Sequence, residues 1–209
     1  MPISIYQLKP AFQSLLRPLA RQLASIGVRA NAVTLMAMLV SLFLGLWLHL
    51  LAGAAPVLYL FVPLWMFLRM ALNAIDGMLA REFGQKTPLG AYLNELSDVV
   101  SDAALYLPFV WVPPFGWQSV GAVIVLAALS EMAGALGPMI GAPRRYDGPM
   151  GKSDRAFLFG ALGLWAGLAG GGLPAWTFWI MSLFAPLCIL LNIFNRICGG
   201  LAASTRRNP

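Results

Sequence analysis

Charge is what this chain has least of. Only 14 Lys and Arg and 8 Asp and Glu occur among its 209 residues, while 59% of the chain is hydrophobic. A soluble domain carries about a quarter charged residues, so a water-facing globular surface is excluded. Histidine is nearly missing: the one present, His49, stands near the end of an apolar run and reads as an interfacial residue rather than a ligand. The two cysteines, Cys188 and Cys198, lie in an apolar segment and give neither a disulfide framework nor a zinc spacing. There is no GxGxxG after a strand, no P-loop, no internal repeat and no low-complexity tract. No signal-peptide pattern opens the sequence, so no cleaved leader is expected. The formal charge of +6 reads as membrane orientation and attraction to anionic lipid. Nucleic acid is not an expected partner.

What is abundant is long apolar runs. Six stand near 31–53, 57–81, 88–112, 117–141, 154–171 and 174–198. Each is long enough to cross the ~30 Å hydrocarbon core as a helix. Turn residues separate them: Gly53 to Pro56, Phe83 to Pro88, Pro113 to Gly116, Pro143 to Ser153 and Gly170 to Pro174. Ahead of them, residues 6–27 place Leu8, Phe12, Leu15, Leu16, Leu19, Leu23 and Ile26 at helical spacing, with Lys9, Arg17 and Arg21 interleaved. That pattern predicts an amphipathic helix lying in the membrane interface, kinked at Pro18. A solvated helix packed on the bundle is the competing reading. The expected fold is therefore all-α: a polytopic membrane protein with six transmembrane helices and an N-terminal interfacial helix. It forms one domain over 1–209, with the juxtamembrane helix in 1–30 and a six-helix bundle in 31–198.

The basic residues fix the orientation. Lys9, Arg17, Arg21 and Arg29 precede the first span, Arg81 and Lys86 flank the second turn, Arg144, Arg145, Lys152 and Arg155 flank the fourth, and Arg196, Arg206 and Arg207 close the chain. Six crossings put all of them on the cytoplasmic side. Both termini and the working face are then cytoplasmic, and Trp47, Trp111, Trp117 and Trp176 form a belt near the outer ends.

Within this apolar background one stretch is polar and acidic: Asn73, Asp76, Gly77, Ala80 and Arg81, then Gly90, Asn94 and Asp98. Carboxylates inside a bilayer are costly and mark function by default. The second and third spans form a hairpin with a turn near residue 85, whose register sets Asn73 opposite Asp98 and Asp76 opposite Asn94. Each pair on its own helix, Asn73 with Asp76 and Asn94 with Asp98, shares a face. Four converging oxygen-bearing side chains suit a hard cation such as Mg2+. Gly77 and Gly90 permit close approach of a ligand or a helix, Ala80 is small, and Arg81 can pair with a phosphate. Together they point to a substrate that carries a pyrophosphate; a polar helix–helix seam is the bland alternative. The same register sets Arg69 opposite Asp102 as a buried brace that leaves Asp98 free.

The stretch Asn73-x2-Asp76-Gly77-x2-Ala80-Arg81-x8-Gly90-x3-Asn94-x3-Asp98 resembles the signature of the CDP-alcohol phosphotransferase family, D-x2-D-G-x2-A-R-x8-G-x3-D-x3-D. All spacings hold, and the family's six-helix membrane fold with a juxtamembrane helix extends the resemblance over nearly the whole chain. Asn73 and Asn94 stand where the family pattern has Asp, as in an uncharacterised bacterial branch. The resemblance implies transfer of a phosphoalcohol from a CDP-alcohol, such as CDP-diacylglycerol, to an acceptor hydroxyl with release of CMP. It implies Asp98 as catalytic base, and Asp76, Asn73, Asn94 and Asp98 at a site for one or two Mg2+ or Mn2+ ions. Gly77, Ala80, Arg81 and Gly90 would hold the donor nucleotide. It also implies a homodimer among membrane lipids, in a bacterial inner membrane.

The segment from Arg144 to Arg155 opens the fifth span, where Ser153 or Asp154 can cap the helix. Its N-terminus with Lys152 and Arg155 makes an anion site. By the resemblance, Lys152, Arg155 and Arg144 would bind an acceptor alcohol, including a phosphorylated one; orientation charge alone is the competing reading. Glu131, Asn195 and Arg196 either line that pocket or form a structural ion pair. Asn31 and Thr34 open the first span as caps or nucleotide contacts. Three functions remain in play: an active transferase, a degenerate binder of nucleotide-lipids, and a small transporter. The last is disfavoured because the acids cluster at one face and form no path across.

Overall fold

The computed structural model describes residues 9–205, with Lys9 and Pro10 described by backbone alone. Residues 6–8 of the expected interfacial helix, and Arg206 and Arg207, lie outside the described residues. Seven helices are found among them: α1 (Lys9–Ser25), α2 (Ala30–Leu51), α3 (Phe61–Glu82), α4 (Pro88–Tyr106), α5 (Trp117–Ala135), α6 (Lys152–Leu168) and α7 (Thr177–Thr205). Short 3-10 turns at Pro56–Leu60, Leu107–Trp111 and Gly137–Ile140 extend or connect them. Four segments are long and apolar enough to cross a bilayer: Ala30–Leu51, Pro56–Glu82, Trp117–Ile140 and Thr177–Thr205. Of the others, α4 carries Glu95, Asp98 and Asp102, and α6 has 17 residues. The chain is an all-α polytopic membrane protein.

Local chemistry sets the helix ends. Helix α1 continues through Pro18 and stops at Gly27, whose φ of +82° is the left-handed geometry a glycine adopts freely. The Val28 N–H then reaches back to the Leu23 carbonyl at 2.9 Å, closing a Schellman turn. Helix α4 begins with Thr87 and Pro88: the Thr87 hydroxyl accepts from the Gly90 N–H at 2.9 Å, and proline fits the first helical position. At the start of α6 the N-cap is Gly151 rather than Ser153 or Asp154, and Asp154, at the third helical position, accepts from the Gly151 N–H at 3.1 Å. Within α7 the turn Ile180–Phe184 widens to a π-helix just ahead of Pro186, which has no N–H to continue the ladder.

The chain divides into two compact units, Met1–Val40 with Phe67–Asp98, and Ser41–Met66 with Val99–Pro209. In the first, Ala20, Ala30, Val33, Ile75, Met78 and Leu79 form the core, with Leu16, Leu23 and Leu72 packed against it. Helix α1 contributes Leu16, Ala20 and Leu23 to this core and leaves Leu15 and Leu19 exposed, as is Ile26 in the turn that follows. Arg17 forms a two-pronged bond to Glu82 at 3.0 and 3.1 Å. Gln85 ties the hairpin turn to the start of α2: its Oε1 accepts from the Ala30 N–H at 2.7 Å, and its Nε2 donates to the Val28 carbonyl at 3.2 Å.

The second unit has an aromatic core. Tyr106 stacks on Phe159 with centroids 3.7 Å apart, Phe109 meets Phe159 edge-on, and the Tyr59 hydroxyl donates to the Pro108 carbonyl at 2.6 Å. Helix α5 packs along α7, and α6 packs on the Pro56–Leu60 turn. His49 accepts from the Trp111 indole at 3.2 Å and lies edge-on to Trp117.

Candidate functional site

The motif residues belong to the first unit, and the α3–α4 hairpin positions most of them. Asn73 Nδ2 donates to Asp98 Oδ1 at 3.3 Å, the register expected from the hairpin. Arg69, one turn earlier on α3, donates to the Asp98 backbone carbonyl at 3.1 Å and stands 3.4 Å from Oδ1. Asp98 is therefore not left free, as the proposed Arg69–Asp102 brace implied. A guanidinium and a carboxamide hold its Oδ1, and the side chain stays 15% exposed. Arg69 was legible as a buried cation in need of a carboxylate. That Asp98 is one of its partners was not, because Asp98 and Asp102 lie one turn apart on α4.

Asp76 is buried at 5% exposure. Its Oδ2 accepts from the Thr34 hydroxyl at 2.7 Å. Thr34 also reaches back to the Ala30 carbonyl at 3.1 Å, so the hydroxyl is fixed by α2 and aims the carboxylate. The sequence reading offered Thr34 as a cap or a nucleotide contact; the structure makes it the partner of the motif acid. Asn94, expected opposite Asp76, is half-buried and its side chain makes no hydrogen bond among the described residues.

Two glycines permit close approach. A Cβ on Gly77 would come within 2.8 Å of the Arg81 guanidinium, which folds back over this point of α3. A Cβ on Gly90 would come within 2.7 Å of Asn31 Oδ1 and 3.0 Å of the Thr87 hydroxyl. Any side chain at either position would displace these polar groups. Ala80 is half-buried and packs beside the core, and Arg81 is exposed. Asn31, Thr34, Asn73, Asp76, Gly77, Arg81, Gly90 and Asp98 thus all belong to one unit.

The motif side chains that could face a cation carry oxygen donors, two carboxylates and two carboxamides, a set suited to a hard divalent ion. Asn73 spends its NH2 on Asp98, and its carbonyl oxygen has no donor among the described residues. No three Asp, Glu, His or Cys side chains gather as a metal set among the described residues. The donor chemistry fits one such ion better than a pair bridged by carboxylates.

The basic residues expected to bind an acceptor belong to the second unit and divide into two kinds. Arg155 is 1% exposed and turned inward: Nη2 donates to Glu131 Oε1 at 2.9 Å and to Asp102 at 3.4 Å, and Nη1 to the Met150 carbonyl at 3.1 Å. Arg144 stands nearer the surface, bonding Glu131 Oε2 at 3.3 Å and the Tyr146 hydroxyl at 3.0 Å. Lys152 is half-buried at the first position of α6. Arg196 Nη1 lies 3.5 Å from Glu131 Oε2 and also bonds the Ser130 carbonyl. Arg145 is satisfied within its loop by Asp147, at 2.7 and 2.8 Å. Of the two readings left open for Glu131 and Arg196, a buried ion network is what forms.

The family model for CDP-alcohol phosphatidyltransferase matches residues 27–190. Inner membrane protein YnbA of Escherichia coli K12 is 49% identical over 189 residues, covering 90% of this chain and 91% of that one. Phosphatidylinositol phosphate synthase of Mycobacteroides abscessus is 31% identical over 120 residues, covering 56% and 50% of the two chains. The crystal structure of Mycobacterium tuberculosis phosphatidylinositol phosphate synthase with CDP-DAG bound superposes with a TM-score of 0.65 over 90% of this chain and 92% of that one. At 19% identity that likeness concerns the fold. Spacing, fold and a family match spanning most of the sequence agree, and the chain belongs to the CDP-alcohol phosphatidyltransferase family.

Proposed function

We propose that this chain is an active transferase, moving a phosphoalcohol group from a CDP-alcohol to an acceptor hydroxyl with release of CMP. CDP-diacylglycerol is the donor that best suits a site on a membrane-embedded hairpin, and the product is then a phospholipid. The observation that carries this reading is the separate seating of the two motif acids. Thr34 orients Asp76, while Arg69 and Asn73 orient Asp98. A helix seam would need only neutral pairs; two oriented carboxylates near a half-exposed surface suit a polyanionic, metal-bearing ligand.

In this reading Asp76, Asn73, Asn94 and Asp98 would hold one Mg2+, with Mn2+ as a substitute. Bound there, the ion would neutralise the donor pyrophosphate and the departing CMP. Asp98 takes the proton of the acceptor hydroxyl, whose oxygen bonds to the phosphorus carrying the alcohol as the bond to CMP breaks. Arg69 and Asn73 hold the Asp98 carboxylate in place. Arg81 pairs with a donor phosphate, and Gly77, Ala80 and Gly90 leave room for the nucleotide. In the same reading Lys152 and Arg144 would bind the acceptor, and Arg155 would support them from within.

In this reading the chain would form one domain of six crossings, with α4 and α6 spanning beside the four longer segments and α1 lying in the interface. The basic residues then face the cytoplasm with both termini, in a bacterial inner membrane, and a homodimer is the expected assembly. Lipid mass spectrometry of cells overproducing the protein tests the proposal. A phospholipid with a new headgroup should accumulate with the native chain and not with Asp98→Asn. Identical lipid profiles would favour the alternative, a non-catalytic binder of nucleotide-lipids.

A further inference from the structure

Glu131 lies within α5 at 6% exposure, and three guanidiniums converge on it from three separate segments. Arg155 of α6 reaches Oε1, while Arg144 of the preceding loop and Arg196 of α7 meet Oε2. Arg155 is shared with Asp102, which stands one helical turn after Asp98 on α4. Two of the arginines are almost fully buried, and backbone carbonyls of Met150 and Ser130 fix them. Their positions are set by the fold, not by a visiting ligand.

Convergent guanidiniums are the usual means of binding a phosphate monoester, through paired N–H donors and charge. Here one terminal nitrogen of each guanidinium faces the protein's own carboxylate, Arg155 at 2.9 Å, Arg144 at 3.3 Å and Arg196 at 3.5 Å. An incoming phosphate would have to displace Glu131 and strand it, or settle beside it against like charge. The cleft that Asp102, Tyr106, Glu131 and Arg155 line is narrow, with room for little more than water. A neutral hydroxyl compound meets neither obstacle, because it brings no second anion.

We propose that Glu131 determines acceptor specificity: its carboxylate occupies the place a phosphate would take among Arg144, Arg155 and Arg196, so the acceptor alcohol carries no phosphate. This rests on the transferase reading and narrows it. Glu131 positions and screens the arginines; it takes no part in the chemical step.

The test is CMP release from CDP-diacylglycerol by the purified full-length protein with matched acceptors, glycerol against glycerol 3-phosphate and inositol against inositol phosphate. The unphosphorylated partner should support at least tenfold more release in a productive pair. Preference for a phosphorylated partner would overturn the inference while upholding the transferase. Absence of release with every acceptor would count against the transferase, and binding of inorganic phosphate then decides the role of Glu131. At constant ionic strength the native protein should show no saturable rise in Tm with inorganic phosphate, and Glu131→Gln should show one. A saturable rise in the native protein, or a folded Glu131→Gln that gains nothing, overturns the inference. If Glu131→Gln does not fold, the native measurements alone decide.

Discussion

Asn73 and Asn94 are the two residues by which this chain departs from the family signature, and their chemistry bears on metal binding. A carboxamide offers one neutral oxygen, and its NH2 must be satisfied elsewhere; Asn73 gives it to Asp98 at 3.3 Å. Two formal negatives remain where the signature has four. One ion is then the expected occupancy, with weak affinity. Changing both Asn73 and Asn94 to Asp should raise Mg2+ affinity at least tenfold, measured by titration calorimetry on detergent-solubilised protein. Equal affinity in both proteins would show that the carboxamides already serve as full ligands or that the ion binds elsewhere. At this scale the motif residues were legible because their spacing is fixed by one hairpin. The partners Thr34 and Arg69 were harder to assign. Thr34 comes from a third helix, and Arg69 had two carboxylates within reach.

Among elements, the α3–α4 hairpin carries the site, and its turn is short enough to fix the register. The Asn73–Asp98 contact follows from that alone. What sequence periodicity did not show is how the turn is anchored. Gln85 bonds both Ala30 and Val28, and Thr87 caps α4 while standing against Asn31. Side chains acting over more than fifty residues leave no periodic trace. Thr87→Ala should cost about 1 kcal/mol, the usual value of a helix N-cap, read as a lower Tm of the detergent-solubilised protein. Thr87→Ser should largely restore it, because serine keeps the hydroxyl. A neutral Thr87→Ala would mean that the turn is held by Gln85 and Pro88 without the cap.

For the whole molecule, apolar runs and turn residues located each described helix, because turn chemistry is a strong local signal; the last helix runs to Thr205, beyond the expected end near 198, and four segments rather than six are long and apolar enough to cross a bilayer. Of the Glu131 network only the pairing with Arg196 was legible. Its members come from α4, α5, the following loop, α6 and α7, and nothing local links them. Orientation gives a prediction here. With Cys188 and Cys198 replaced by Ala, single cysteines at Gln85 and at Ser153 should react with a membrane-impermeant thiol reagent only after the cells are opened. A cysteine at Gly172 should react in intact cells. The opposite pattern would invert the proposed topology and move the motif to the outer face.

The central claim is turnover at the α3–α4 site, and CMP release tests it most directly. Purified native protein with CDP-diacylglycerol, Mg2+ and an unphosphorylated acceptor should release CMP and lose the activity on chelation. Asp98→Ala should retain part of its CDP-diacylglycerol binding, followed by thermal stabilisation, while release falls at least a hundredfold. Full release by Asp98→Ala, or donor binding without release in the native protein across the acceptor panel, would contradict it.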